Sequence, residues 1–426
     1  MLHPAQTRIV PVIAELLRRV RKCRTLHDYD QAQRSIFQEL YRAETRLGEV
    51  QRCVKRLTRG QSLPQAAPAL PDGADPSNLR HWELEAIVAK RICKQIRATG
   101  DALAWKAAAY DRTFFVALSN NDSPGPMAHK AGLPYEIGAV EELIEQRKHF
   151  GLLHDLTNCL RIADVTEFTS DHRKLLHEIK KDPKAKKSAQ VQRIIDAVAA
   201  VMDGGPLPNT PNSGIVVPRN RCTTHIGRFS TAIAESASTP VVGKAIPGSR
   251  VLMVANHRSA VMQGLAPTDL QATYRTVQGR MLDTAGISKL QMSMSLTSLQ
   301  LNDNYVRTAI PYGLFPIAAD DAALLICDFI TVEILFAPEA LVHALRRAGV
   351  SADLGVQPHL PLKDDSPLIV THHGRRGMTM TQQSMVGPLV EHLEINSWAA
   401  ALADVLLRAQ SPRHPVPSFM TTRVWR

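Results

Sequence analysis

The chain has 426 residues, 44% of them hydrophobic, enough for two or three domains with substantial cores. Its net charge of +11 suits a polyanionic partner, and no apolar run reaches the length of a membrane span. The six cysteines (Cys23, Cys53, Cys93, Cys159, Cys222 and Cys327) are scattered without a Cys-x-x-Cys pair, which excludes a disulfide framework or a zinc knuckle and predicts reduced, buried thiols.

The first residues lack the charged-then-apolar layout of a signal peptide, so a cytoplasmic protein with no membrane contact is expected. Residues 7–22 place Ile9, Val12, Ile13, Leu16, Leu17 and Val20 at helical spacing. Residues 28–58 do the same with Ile36, Leu40, Leu47, Val50, Val54 and Leu57. With 13 Lys/Arg against 6 Asp/Glu in residues 1–60, the pair reads as a helical hairpin with a basic outer face, suited to binding nucleic acid, to forming a homo-oligomer or, in preference, to packing on a partner or the body. Residues 61–79 are rich in Pro, Ala, Asp and Gly and read as a linker. A helix from His81 is expected to stop at Thr99-Gly100, with Asp101 capping a second helix through Ala117. Residues 134–148 form an acidic helix carrying Glu136 and Glu141. The His154-Asp155 doublet lacks the further histidines that a phosphohydrolase metal site needs, and is set aside.

The most informative stretch is 160–196. An apolar, β-prone run, 160–168, carries Asp164; a polar turn follows; a second run, 175–180, carries Glu178 and Lys180 at alternate positions. Side chains two apart share one face of a strand, so Glu178 and Lys180 point the same way. A hairpin of the two runs brings Asp164 beside Glu178. Adjacent carboxylates are unfavourable unless a cation lies between them, and Mg²⁺ or Mn²⁺ takes oxygen ligands in this manner. Lys180 is then placed to orient a water or to offset charge on a phosphate.

This constellation resembles the PD-(D/E)XK nuclease superfamily over residues 130–217, with Asp164 as the first acid and Glu178-Ile179-Lys180 as the E-x-K element. One departure is that Ala163, rather than proline, precedes Asp164. The resemblance implies an α+β, restriction-endonuclease-like fold, a mixed sheet flanked by helices. It also implies a glutamine on the following helix, for which Gln192 or Gln190 serves, and an acid on the preceding helix, Glu136 or Glu141. The Ile179 carbonyl is a candidate third metal ligand. The implied substrate is DNA more often than RNA, in restriction, repair or phage defence. A basic rim of Lys181, Lys184, Lys186, Lys187 and Arg193 follows the acids and suits a phosphate backbone. The competing reading is a nucleic-acid-binding or assembly protein whose Asp/Glu/Lys set is structural.

Domains are therefore expected at 1–60 (helical hairpin), 61–79 (linker), 80–217 (nuclease-like core) and 218–426 (mixed α and β). Residues 214–218 read as a further strand, as the nuclease-like core requires; in the last region, 250–255 and 368–370 read as strands, 322–336 as paired β-runs, and 338–348 and 386–409 as helices. There is no Walker phosphate loop, no G-x-G-x-x-G and no G-x-S-x-G, so ATP use, dinucleotide use and serine hydrolysis are unsupported.

Overall fold

The computed structural model describes residues 3–119, 125–179, 189–203, 206–207, 210–219, 221–287, 292–295, 308–355, 367–373, 376–409 and 419–420. The chain is mixed α and β, in two compact units: Met1–Ala109 with Asn121–Val191, and Tyr110–Asn120 with Gln192–Arg426. No described helix is long and apolar enough to cross a membrane. All six cysteines are buried and unpaired with one another, and burial pushes the thiols of Cys93, Cys23 and Cys222 upward.

The first unit begins with three helices, α1 (Pro4–Lys22), α2 (Leu26–Thr58) and α3 (Leu79–Ala107). Helix α2 starts in a capping box: the Thr25 hydroxyl accepts from Asp28 N–H and the Asp28 carboxylate accepts from Thr25 N–H. Between α2 and α3, Leu63, Ala67 and Leu70 pack on Val50, Cys53 and Trp82. Helix α3 does not stop at Thr99-Gly100 but runs through to Ala107. Gly100 marks a close approach instead, since a Cβ there would lie 1.9 Å from the Leu156 carbonyl oxygen. Asp101 accordingly caps no helix; its carboxylate accepts from the backbone N–H groups of Asn158 and Cys159, at 2.7 and 2.9 Å. The chain passes through α4 (Arg112–Leu118), which belongs to the second unit, and returns as α5 (Leu133–Glu145).

Three short strands follow, β1 (Phe150–Leu153), β2 (Val165–Phe168) and β3 (Lys174–His177), in an antiparallel sheet of that order. Helix α5 covers one face: a Cβ on Gly151 would meet Leu143 at 2.9 Å and Val140 at 3.3 Å. On the other face Phe150 lies between Phe168 and Tyr29 of α2. Gln33 of α2 donates to the Gly151 carbonyl at 2.7 Å and accepts from Leu153 N–H at 3.1 Å.

A buried ion pair ties helices to loops. Arg97 of α3 and Glu44 of α2 are 5% and 2% exposed and bonded to each other. Arg97 also donates to the Asp155 and Gly125 carbonyls, each at 3.0 Å. Glu44 accepts from the N–H groups of Met127 and Ala128, at 2.6 and 2.7 Å. Both charges are thus neutralised and hydrogen-bonded, as burial demands.

Helix α6 (Ala189–Asp203) leads into the second unit, followed by β4 (Pro206–Leu207), β5 (Thr210–Val216) and α7 (Ile226–Glu235). Then come β6 (Val241–Ile246), β7 (Arg250–Asn256), α8 (His257–Met262), α9 (Pro267–Thr284) and β8 (Met292–Ser295). After these are α10 (Ala319–Ile326), β9 (Ile330–Phe336), α11 (Glu339–Arg347), β10 (Ser351–Leu354), β11 (Pro367–His373) and β12 (Arg376–Thr381). The last are α12 (Gln382–Val390), α13 (Ile395–Ala409) and β13 (Phe419–Met420). The main sheet is antiparallel in the order β6-β7-β9-β8, with β7 buried along its whole length and Tyr274, Val277 and Met281 of α9 packed on it. Strand β5 pairs with β4 and β13, while β10, β11 and β12 form a third ladder. The segment expected as paired β-runs, 322–336, is instead helix α10 followed by β9. Asp320 and Asp321 in the first turn and the Ala/Leu run behind them favour the helix, and a short apolar run has no period that separates the two states.

Replacing Arg97 by methionine would leave Glu44 buried without its cation. The substitution is expected to destabilise the fold by about 3–5 kcal/mol, read from urea denaturation midpoints. The same change at the exposed Arg34, paired with Asp30, is expected to shift stability by less than about 1 kcal/mol.

Candidate functional site

The β2–β3 register runs as far as Val165 paired with His177, with Asp164 just before β2 and Glu178 just after β3. Asp164 is stitched in on both sides: its N–H donates to the His177 carbonyl at 3.0 Å, and its carbonyl accepts from His154 N–H at 2.9 Å. Its Oδ2 accepts from Ile179 N–H at 2.8 Å, so the amide of the E-x-K centre faces the aspartate. The residue before it, Ala163, has φ of +73°. Proline is locked near −65° and cannot adopt that backbone, so the position does not admit proline.

Of the two upstream acids, Glu136 joins the site and Glu141 does not. Glu141 is half-buried and lies 3.8 Å from Arg34. Glu136 is buried and reaches Asp164 through a residue that the sequence did not single out, Lys130. The Lys130 ammonium lies 2.7 Å from Glu136 Oε1, 2.9 Å from Asp155 Oδ2 and 3.8 Å from Asp164 Oδ1. Burial works to lower the Lys130 pKa, but the bonds from Glu136 and Asp155 outweigh it and hold the ammonium above its ordinary range. Burial raises the Glu136 carboxyl, with Lys130 only partly offsetting it. Asp155 was set aside because its neighbour His154 lacked partners for a metal. His154 is in fact a core residue: it is fully buried, its Nε2 lies 2.6 Å from Thr166 Oγ1, and burial depresses its pKa to about 3.

A second cluster pins the end of β3. Glu167 is buried, with His149 Nδ1 at 2.6 Å, His177 Nε2 at 2.8 Å and the Arg147 guanidinium at 3.6 Å. Glu167 lies on the face opposite to that of Asp164, by strand alternation. Burial works to raise its pKa, and the bonds from His149 and His177 overcome this and lower it.

The other predicted residues stand apart from this geometry. Gln192 of α6 donates to Asp196 Oδ1 at 2.9 Å, one turn on. Gln190 and Arg193 share that helix, and the side chain of Gln190 is outside the described atoms. Lys180, Lys181, Lys184, Lys186 and Lys187 lie outside the described residues. Among the described residues no three His, Cys, Asp or Glu side chains are disposed to hold a metal ion; Glu136, Asp155 and Asp164 face the Lys130 ammonium. The chain matches no family model, no curated protein and no solved structure.

The Glu167 cluster sets a pH dependence. A carboxyl with a depressed folded pKa contributes stability above the ordinary glutamate value of 4.5 and loses it as pH falls through the folded value. Glu167→Gln is expected to be less stable than the parent at neutral pH by about 1–3 kcal/mol and to lack this part of the acid limb. Denaturation midpoints measured from about pH 3 to 7 check both expectations.

Proposed function

We propose that the chain is a metal-dependent nuclease acting on DNA, with a restriction-endonuclease-like core in the first unit. The order of elements in that unit supports this: a helix with a buried acid (α5), then three antiparallel strands (β1 to β3). The observation that carries it is the bond from Ile179 N–H to Asp164 Oδ2, which draws the E-x-K segment against the first acid. Asp164 and Glu178 offer hard oxygen donors, the chemistry that Mg²⁺ or Mn²⁺ takes. The field at the site suits a cation, since three carboxylates already surround the Lys130 ammonium.

In this reading Asp164 and Glu178 would hold the ion, with the Ile179 carbonyl as a further candidate. The ion supplies charge at a phosphate oxygen and lowers the pKa of a bound water. Lys180 orients the attacking water and offsets negative charge that develops on the phosphate. Gln190 orients substrate or Lys180. Glu136 acts through Lys130, holding it against Asp164. Lys181, Lys184, Lys186, Lys187 and Arg193 grip the DNA backbone.

One observation favours a second reading, a DNA-binding or assembly protein with a degenerate nuclease fold: a lysine already neutralises part of the acid cluster. Incubation with supercoiled plasmid separates the two. The nuclease reading expects nicking or linearisation with Mg²⁺ or Mn²⁺ and none in chelator. It expects a loss of at least about 100-fold in Asp164→Asn and Lys180→Ala, with DNA retardation in gels preserved. Retardation without cutting under either metal supports the degenerate fold.

A further inference from the structure

The outer side of α2 carries a pattern that the acid cluster does not use. Phe37, Tyr41, Thr45, Gly48, Arg52 and Lys55 recur every three or four residues, and the C-cap Arg59 continues the stripe. It lies away from the side that buries Ile36, Leu40 and Glu44. Near its start Phe37 and Tyr41 stack, with ring centroids 6.0 Å apart and planes at 22°. The exposed His129 meets Tyr41 edge-on, also at 6.0 Å. His129 adjoins Lys130, so the rings begin beside the acid cluster. Midway, a Cβ on Gly48 would meet nothing within 4 Å, so the surface is open there. At the far end Arg52, Lys55 and Arg59 are all exposed. Glu39, Glu44 and Glu49 fall off the stripe, the first two bonded to Arg42 and Arg97. The helix dipole favours cations in the last turn, which accounts for Lys55, but it asks for neither Arg52 nor the rings.

We propose that this side of α2 is a track for single-stranded nucleic acid, with bases stacking at Phe37, Tyr41 and His129 and phosphates held by Arg52, Lys55 and Arg59. Rings and cations in one line suit a strand whose bases are unpaired; a duplex presents phosphates to such a helix and leaves the rings without a use. From Phe37 to Arg59 the helix rises about 33 Å, room for on the order of ten nucleotides at about 3.4 Å each. The track rests on the stripe alone; the nuclease reading enters only in what the track delivers. It leads an unpaired arm toward the acid cluster, so that DNA with a single-stranded arm is cut in preference to plain duplex.

Fluorescence anisotropy of the full chain in chelator, with a labelled oligothymidylate of about 12 nucleotides and a duplex of equal length, tests this. The single strand is expected to bind at least about tenfold more tightly than the duplex. Replacing Arg52, Lys55 and Arg59 together by alanine is expected to weaken single-strand binding at least about tenfold. It is also expected to flatten the slope of log affinity against log salt by about 2, the loss of three phosphate contacts. His129→Asn, which suits the left-handed backbone at φ of +67°, is expected to weaken binding several-fold and leave the slope unchanged. Arg34→Ala, whose guanidinium is engaged by Asp30, is expected to stay within about twofold of the parent. All of these side chains are exposed, so the variants are expected to fold as the parent does. Oligouridylate bound more tightly than oligothymidylate supports the track and makes RNA its strand. Duplex bound as tightly as single strand, or a triple variant within about threefold of the parent, overturns the track and leaves the nuclease reading intact. Single-strand binding that behaves as expected in a protein that cuts no DNA sinks the nuclease reading and leaves the track standing.

Discussion

The pairing of Arg97 with Glu44 inside the helical layer is the constraint from which the site follows. Neither charge reaches solvent, so each must spend its bonding capacity on protein groups. Arg97 spends part of it on the Asp155 carbonyl and Glu44 spends it on the loop leading to Lys130. The two segments that meet at the acid cluster are therefore both hung from one ion pair. Had the pair been replaced by leucine and methionine, the helices could still pack, but the 125–130 loop and the 154–156 turn would lose the bonds that hang both of them from α2 and α3.

Backbone geometry supplies the rest of the placement. Gly100 lets the 154–156 turn lie directly on α3, and Asp101 receives the N–H groups that the turn leaves exposed. The left-handed residue Ala163 then reverses the chain so that Asp164 enters the sheet beside β3. A non-glycine residue in that region stores local strain, which the surrounding bonds to Asp164 hold in place.

What could be read from residues alone was whatever depends on near neighbours. The helical spacing of Ile9 through Val20, and of Ile36 through Leu57, gave α1 and α2; the apolar runs gave β2 and β3; and the polar turn between them gave their antiparallel pairing. Lys130 was hidden because its partners come from α5, the 154–156 turn and the start of β2, and no local period links these. Asp155 was visible as a doublet but was judged by its neighbour, and His154 turns out to fill the core. Gly100 looked like a stop because a glycine within a helix and a glycine ending one are the same letter; only the carbonyl of Leu156 tells them apart. The run at 322–336 failed for a related reason, being too short on each side of Cys327 to show a repeat.

The amide of Gln33 imitates a neighbouring strand. It meets the outward-pointing groups of Gly151 and Leu153 with one donor and one acceptor, the complement that an added chain would offer. That margin of the sheet is thereby closed to templated growth, whether by a second copy of the protein or by an extended peptide. Recruitment to this sheet through main-chain pairing is left with the other border, β3, which leads straight into Glu178 and Ile179. A partner seated there would touch the acids' own strand, so assembly and occupancy of the cluster would be felt by one another through a single stretch of backbone.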